Sequence, residues 1–378
     1  MPRKNRVALI LSGGGARAAY QVGVLRAIRE LQGSSRRNPF TILCGTSAGA
    51  INAATLACYS SNFASAVDAL DSVWRNMHAG QIYRADPLGI GLSVARWLGN
   101  LLTGWLRRKS PRSLLDNRPL RQLLEKFLNF SNIQRSIDQG RIYALSITAS
   151  GYVSGDSVSF YQAHSEIESW RRAQRVGCRT ALSIDHLLAS SAIPFVFPAV
   201  HLNREYFGDG SMRQLSPLSP AIHLGAEKLL IIGVAQIDEL PPRQSSHSYP
   251  SLAQVAGHIL ASIFLDSLHA DVERMERINR TLAQIPEEQR DNRQLGLRPL
   301  QSLTISPSQR LDLLAAKHAH ALPWAVRTLL RLVGAMSRRG GALASYLLFE
   351  PPYTTALIEL GYQDALARRE DLNVFLEL

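Results

Sequence analysis

Residues 7–17 read Val-Ala-Leu-Ile-Leu-Ser-Gly-Gly-Gly-Ala-Arg, and residues 40–49 read Phe-Thr-Ile-Leu-Cys-Gly-Thr-Ser-Ala-Gly. Each stretch is a short apolar run that ends in glycine, which is typical of a buried parallel strand. A helical pattern follows each run: apolar residues recur every three positions over 16–31, and 47–59 is rich in alanine. Strand, loop, helix, strand, turn and helix in this order predict a doubly wound α/β sheet with helices on both faces.

The remaining sequence extends this pattern and then becomes mainly helical. The periodicity predicts helices over 62–77, 117–130, 184–191, 216–224 and 252–285, and strands over 141–150, 157–162, 205–207, 228–234 and 300–305. From residue 309 onward the pattern is helical, with breaks expected at Pro323, Gly340–Gly341 and Pro351–Pro352. A Pro- and Ser-rich stretch, 240–250, is the best linker candidate. We therefore predict a first domain over 1–239 and a helical C-terminal region over 240–378 that packs on the first domain or completes it.

The composition is that of a folded protein without structural disulfides. Of the 378 residues, 46% are hydrophobic and 19% are charged, which excludes a disordered or fibrous chain. The three cysteines, Cys44, Cys58 and Cys178, are far apart and lack CxxC spacing. They exclude a disulfide scaffold and a cysteine-rich zinc site, and they fit a reducing compartment.

The charge is strongly basic, with 42 Lys and Arg against 30 Asp and Glu and a formal net charge of +12. Such an excess suits nucleic acid, an acidic ligand or an anionic membrane surface. The sequence has no zinc-finger or RNP-type motif, so we do not expect nucleic-acid binding. The apolar run over 7–11 is shorter than the about 7–15 residues of an export signal, and no stretch approaches the ~20 residues of a membrane span. We therefore expect a cytoplasmic protein.

The first chemical motif is Gly45-Thr46-Ser47-Ala48-Gly49, a G-x-S-x-G between a strand and a helix. A serine there lies on a sharp turn that needs small neighbours, and its hydroxyl projects from the carboxyl edge of the sheet. Ser47 is thus a candidate nucleophile. The alternative interpretation is an ordinary serine N-cap after a tight turn.

The second motif is the glycine loop, which we define as residues 12–17, Ser-Gly-Gly-Gly-Ala-Arg. Backbone N–H groups at a helix start bind anions. With Gly13, Gly15 and Ala18 the loop fits the dinucleotide pattern G-x-G-x-x-G/A, but that site needs an acidic residue at the end of the second strand, which here ends in Cys-Gly-Thr-Ser. An oxyanion hole is the alternative, and it requires a nucleophile on the adjacent strand.

The third motif is Gly208-Asp209-Gly210, which in isolation is typical of a turn. A Ser-His-Asp site in α/β-hydrolase order would need a histidine after the Asp. The late histidines, His258, His269, His318 and His320, all lie within helical patterns rather than on loops after strands. A Ser–Asp dyad, in which the carboxylate is itself the base, remains.

Four blocks together resemble the signatures of the patatin-like phospholipases: residues 12–17, 45–49, 189–198 (Ala-Ser-Ser-Ala-Ile-Pro-Phe-Val-Phe-Pro) and 208–210, within a resemblance that covers roughly residues 5–235. The resemblance implies a three-layer patatin-like fold with a mostly parallel sheet. It also implies a lipid acyl hydrolase that acts on phospholipid or lysophospholipid without metal or cofactor.

The resemblance also assigns roles by position. Ser47 becomes the nucleophile and Asp209 the base, and Gly14 and Gly15 supply oxyanion N–H groups. Arg17 becomes the basic residue that supports the glycine loop and faces phosphate. The sequence departs from the family pattern at two positions: Ala18 stands where the family usually has Gly, and Ser211 where it usually has Gly or Ala.

A membrane contact is predicted between residues 88 and 112. Residues 88–106 are apolar and contain Trp97 and Trp105, and the basic residues Arg107, Arg108 and Lys109 follow. Such a segment suits a helix lying on an anionic bilayer, here the inner face of the cell membrane; the alternative is a core helix with a solvated end. Residues 324–348 are a second candidate. Two other functions remain open: an acyltransferase or thioesterase with the same dyad, and a non-catalytic lipid-binding or regulatory module.

Overall fold

The computed structural model describes residues 6–86, 91, 113–236, 267–286, 297–332 and 341–378. Within these ranges the chain forms one ten-stranded mixed sheet with helices on both faces. The strands are β1 Val7–Leu11, β2 Ile42–Thr46, β3 Ala144–Gly151, β4 Ser157–Ala163, β5 Trp170–Arg172, β6 Arg175–Arg179, β7 Val200–Leu202, β8 Glu205–Asp209, β9 Lys228–Ile232 and β10 Gln301–Ile305.

Helices alternate with these strands and then dominate the C-terminal part. They are α1 Ala19–Leu31, α2 Ala48–Cys58, α3 Phe63–Arg75, α4 Ala79–Ile82, α5 Arg118–Phe127, α6 Ser131–Asp138, α7 Ile184–Ser190, α8 Ser219–His223, α9 Ser267–Ala283, α10 Leu311–His318, α11 Trp324–Leu332, α12 Gly341–Leu347, α13 Pro351–Ala367 and α14 Arg369–Leu376. None of the helices in the described ranges has the length and apolar character needed to cross a bilayer.

The sheet has the order β10-β9-β1-β2-β3-β4-β6-β5. In addition, β8 pairs with the end of β3, and β7 pairs with β8. The five strands from β10 to β3 are parallel to one another. β4 and β8 both run antiparallel to β3. The parallel strands bring the ends of β1, β2 and β3 to one edge of the sheet, which is where ligands bind in α/β sheets.

Side chains alternate between the two faces along the central strands. In β1, Leu9 and Leu11 belong to the core under α1, α2 and α3, whereas Ala8 and Ile10 belong to the core under α8 and α9. This alternation follows from the two-residue period of a strand. Because both faces are covered, β1 is apolar throughout, as its sequence predicts.

The C-terminal helices pack on the same face as α1. A Cβ on Gly23 of α1 would lie 1.9 Å from the carbonyl oxygen of Ile358, and one on Gly361 of α13 would lie 2.1 Å from that of Tyr20. The two helices therefore cross in backbone contact, which only glycine permits. Tyr20 also donates a 2.9 Å hydrogen bond to Asp364.

Most sequence-predicted elements are confirmed, with shifted ends. Strands β1 to β4 and β8 to β10, and the helices from α1 to α3, fall where the pattern indicates. The break expected at Pro351–Pro352 is present: α12 ends at Leu347, and Pro351 begins α13, where its missing N–H is harmless. Several predictions fall outside the described residues: the domain boundary at 239/240, the linker 240–250, residues 88–90 and 92–106, and the first part of the predicted helix 252–285.

Candidate active site

Ser47, the glycine loop and Asp209 meet at the carboxyl edge of the parallel strands. Leu11 at the end of β1 is aligned with Gly45 near the end of β2, so the loop after β1 lies beside Ser47. Asp209 ends β8 and pairs with Ala149 of β3, the strand next to β2. Three separate parts of the sequence are thereby brought to one point.

Ser47 lies on a strained turn between β2 and α2. Its backbone has φ 54° and ψ −130°, a left-handed φ that a non-glycine residue rarely adopts. Its N–H donates to Ser190 Oγ at 2.8 Å, and Ser190 Oγ donates to the Thr148 carbonyl at 2.6 Å. These two bonds tie the turn to α7 and to β3.

The glycines of the G-x-S-x-G motif are required by close backbone packing. A Cβ on Gly45 would lie 2.5 Å from the Gly49 carbonyl oxygen, and a Cβ on Gly49 would lie 2.4 Å from the Leu11 carbonyl oxygen. Both distances are shorter than a carbon–oxygen contact allows, so neither position accepts a side chain. The motif therefore holds α2 directly against the end of β1.

Ser47 Oγ donates a 2.6 Å hydrogen bond to Asp209 Oδ2. Asp209 has no exposed surface, and its other carboxylate oxygen accepts from the Ser211 N–H at 2.9 Å. Burial raises the pKa of Asp209 to about 6, against the lowering effect of the bonds from Ser47 and Ser211. The partner of the serine is thus a carboxylate, and no histidine is hydrogen-bonded to either group in the described parts of the chain.

The late histidines of the described ranges belong to helices and turns of the C-terminal region. His269 is within α9, His318 ends α10, and His320 lies in a short 3-10 turn. His318 packs on Tyr353, with 6.4 Å between ring centroids, and His320 Nδ1 lies 3.1 Å from the Lys317 carbonyl oxygen. His258 lies outside the described residues.

The glycine loop is closed in by the C-terminal region. Gly15 has φ +55°, and a Cβ there would lie 2.3 Å from the Tyr346 carbonyl oxygen of α12. A Cβ on Gly14 would lie 2.6 Å from Val234 Cγ2. Gly15 also borders the same pocket as Ser47. Gly15 therefore occupies a position where only glycine fits, whereas a side chain at Gly14 would require Val234 to shift.

Arg17 points into the protein rather than toward solvent. Its Nε donates to Ser345 Oγ at 2.8 Å, and its guanidinium lies 4.4 Å from the centroid of the Tyr346 ring. The residue is only 5% exposed. This geometry favours the supporting role of Arg17, which joins the glycine loop to α12, over the predicted contact with phosphate.

An apolar pocket opens beside Ser47 and Gly15, with about 650 Å³ of empty space including its mouth. Its wall comes from α2, α3, α5 and the segment after α7, and Phe349 from the C-terminal region closes one side. The lining residues other than Ser47 and Gly15 are Ala48, Ile51, Leu70, Val73, Trp74, Met77, Ile82, Leu120, Leu123, Leu124, Phe127, Ser191, Ile193, Phe197 and Phe349. Its apolar wall suits a hydrocarbon chain.

Sequence reasoning missed the residues that surround the dyad. Ser190 lies in the 189–198 block without an assigned role, and no sequence pattern indicates that its hydroxyl accepts a hydrogen bond from the Ser47 N–H. Phe349 lies far outside the four blocks. The predicted membrane residues Trp97, Trp105, Arg107, Arg108 and Lys109 lie outside the described residues. In the described ranges, no group of three or more His, Cys, Asp or Glu has an arrangement that could hold a metal ion.

Comparisons with known proteins found a match to one family model and to solved structures. The family model described as patatin-like phospholipase matches residues 9–222. Among solved structures, the chain is similar to VipD from Legionella pneumophila, with 10% identity and a TM-score of 0.36 over 97% of this chain and 67% of that one. No curated protein matches the sequence significantly. Since the family match spans more than half of the chain, this protein belongs to the patatin-like phospholipase family.

Proposed function

We propose that the chain is a lipid acyl hydrolase of the phospholipase A or lysophospholipase type, with Ser47 as nucleophile and Asp209 as base. The observation that carries this proposal is the 2.6 Å hydrogen bond from Ser47 Oγ to Asp209 Oδ2 beside an apolar pocket. The dyad supplies ester chemistry, and the pocket supplies a place for an acyl chain. Family membership supports lipid hydrolysis in general.

The reaction begins when Asp209 takes the hydroxyl proton of Ser47. The Ser47 oxygen attacks the ester carbonyl carbon, and the N–H groups of Gly14 and Gly15 stabilise the oxyanion that forms. The tetrahedral intermediate collapses to an acyl-enzyme on Ser47, while Asp209 returns the proton to the leaving alcohol. Water that Asp209 activates then attacks the acyl-enzyme and releases the fatty acid.

The environment of Asp209 makes a carboxylate an adequate base. An exposed Asp has a pKa near 3.9 and takes a proton poorly at neutral pH. Burial raises the pKa of Asp209 to about 6, which brings its basicity close to that of an ordinary histidine. The proposal therefore needs no third residue.

The test is the incubation of the purified protein with a defined mixture of phospholipids and lysophospholipids, with products identified by mass spectrometry. We expect free fatty acid and deacylated lipid from the wild type and from Ser65→Ala, a control on the exposed side of α3. We expect none from Ser47→Ala. Acyl transfer to an added alcohol or thiol without release of fatty acid would assign the chain to acyltransferases. Turnover by Ser47→Ala would overturn the dyad.

A further inference from the structure

Two buried amide side chains hold the two ends of the glycine loop. Gln21 Nε2 donates to the Ser12 carbonyl at 2.8 Å, and Asn52 Nδ2 donates to the Ala18 carbonyl at 3.2 Å. Both side chains are fully buried. Ser12 begins the loop and Ala18 ends the 3-10 turn that follows Gly14, so the proposed oxyanion N–H groups lie between the two anchors.

The two amides are also hydrogen-bonded to each other and to Trp74 in the wall of the apolar pocket beside Ser47. Asn52 Nδ2 donates to Gln21 Oε1 at 2.9 Å, and Trp74 Nε1 donates to Asn52 Oδ1 at 2.8 Å. Trp74 lines the pocket beside Ser47 and stacks on Phe349, with 6.3 Å between ring centroids. A hydrogen-bonded chain thus runs from the pocket wall to the glycine loop.

Every member of this chain is shielded from water. Trp74 is 2% exposed, and the two amides have no exposed surface. Water cannot replace a lost bond at such a site, so the removal of one partner leaves another polar group unpaired. Gln21 lies on α1, Asn52 on α2 and Trp74 on α3, so these hydrogen bonds fix three helices relative to the loop.

We infer that Gln21 and Asn52 are positioning residues for the glycine loop, and that an acyl chain in the pocket, by fixing Trp74, orders the loop through them. The anchoring of the loop rests on these hydrogen bonds, whereas its role in receiving an oxyanion rests on the proposed function. Binding energy from the remote acyl chain would then raise kcat, in addition to lowering KM.

The positioning role is tested by hydrogen exchange of the loop amides, which does not depend on activity. We expect Asn52→Leu and Gln21→Met to speed exchange in peptides covering 12–19 by about tenfold, because the loop opens locally more often. The matched control is Ser60→Ala, which removes a buried 2.7 Å hydrogen bond from Ser60 Oγ to Ser136 Oγ that is not part of the hydrogen-bonded network around Gln21 and Asn52. Exchange in both amide variants equal to that in the control would overturn the role. Either variant suffices if the other does not fold.

The coupling to the pocket is tested with decanoate as a probe and butyrate as the short control. We expect decanoate, but not butyrate, to slow exchange over 12–19 in the wild type. We expect Trp74→Phe to abolish the decanoate effect, because phenylalanine keeps a ring on Phe349 but lacks the indole N–H. Decanoate bound without slower exchange in the wild type, or an effect retained in Trp74→Phe, would overturn the coupling.

Kinetics give a second readout with p-nitrophenyl decanoate and p-nitrophenyl butyrate. We expect Asn52→Leu to lower kcat about 10- to 100-fold on both esters with little change in KM, because the oxyanion donors are displaced. We expect Trp74→Phe to lower the ratio of kcat on the decanoate ester to kcat on the butyrate ester. A higher KM for decanoate with an unchanged kcat ratio would mean that Trp74 only binds the chain. A wild type inactive on both esters would instead refute the proposed function, and the exchange data would still decide the inference.

Discussion

Ser47 and Asp209 each occupy a conformation or environment that an isolated residue avoids. A left-handed φ on a non-glycine residue costs about 1–3 kcal/mol, and Ser47 is held there by Ser190 and by the glycines on either side. The carboxylate of Asp209 is fully buried, and the hydrogen bonds from Ser47 and Ser211 stabilise it there. Strain and a buried charge at one point are typical of a catalytic site, where geometry is maintained at the expense of stability.

The raised pKa of Asp209 predicts the pH dependence of the reaction. Asp209 must be ionised to accept the proton of Ser47, so kcat/KM rises with pH and is half-maximal near pH 6. Below that pH it falls about tenfold per unit. The measurement is a pH–rate profile on a short soluble ester.

A histidine base would give a similar profile, so the histidines are the control. Replacement of His258, His269, His318 or His320 by Gln should leave the profile unchanged. A profile that moves in one of these variants would return the role of base to that histidine.

The same pKa predicts that Asp209→Asn stabilises the fold. The folded-state pKa of Asp209 is above its unfolded value, so the wild type loses stability as pH rises from about 4 to about 6 and the buried group ionises. Asn cannot ionise. At pH 8 the free energy of unfolding of Asp209→Asn should exceed that of the wild type by about 1–3 kcal/mol, and the difference should shrink below pH 4. Urea unfolding at both pH values tests this, and an Asn variant that is less stable at pH 8 would contradict it.

At the scale of elements, the contact between the glycine loop and α12 fixes the predicted oxyanion site. Gly15→Ala places a Cβ against the Tyr346 carbonyl oxygen, 2.3 Å away, so the loop or α12 must move. We expect kcat to fall by about 10²-fold, as when an oxyanion donor is lost. Gly33→Ala is the control, since Gly33 has φ +60° but no atom within 4 Å of its Cβ position. An equal and small loss of kcat in both variants would show that the contact does not position the loop.

The elements that the sequence predicts well are those with a local cause. β1 and β2 are apolar runs that end in glycine, and Gly45 and Gly49 mark the turn at Ser47 because backbone packing there excludes a side chain. β5 to β7 were not predicted. β5 has only three residues, Trp170-Arg171-Arg172, and its pairing with β6 depends on a sheet that is already formed.

The dyad could be predicted from the sequence, but its surroundings could not. Ser47 and Asp209 lie in short motifs, whereas the hydrogen-bond partners of the site lie on other elements and carry no periodic signal. Ser190, Gln21 and Asn52 are ordinary polar residues within helices, and only tertiary contact gives them buried partners. The same holds for Phe349, which lines the apolar pocket beside Ser47 although it lies 302 positions later in the sequence (349 − 47).

At the scale of the whole molecule, the site depends on sequence beyond the family match. The match ends at residue 222, yet β9 and β10 extend the parallel sheet and α13 packs against α1. Phe349 completes the pocket, and Ser345 binds Arg17 of the glycine loop. We therefore propose that the C-terminal region completes the first domain.

The approach to lipid is also a property of the whole molecule, and the sequence alone supports our proposal for it. We propose that residues 88–112 bring the site to an anionic bilayer. Each basic residue near such a surface contributes about 1 kcal/mol, over a Debye length of about 10 Å at 0.1 M salt. Reversal of Arg107, Arg108 and Lys109 to Glu should weaken binding to anionic liposomes by more than about tenfold at low salt and less at high salt. Hydrolysis of a soluble ester should stay unchanged, and liposome binding that ignores the reversal would exclude this segment.

The most direct measurement of the central claim is the location of the acyl-enzyme. The wild type is mixed with a phospholipid, quenched in acid within the first turnovers and mapped by peptide mass spectrometry. The Ser47–Asp209 dyad predicts an acyl adduct on the peptide that contains Ser47, no adduct in Ser47→Ala, and a strongly reduced rate of adduct formation in Asp209→Asn. An adduct on another residue, or an adduct that forms in Asp209→Asn at the wild-type rate, would contradict the dyad.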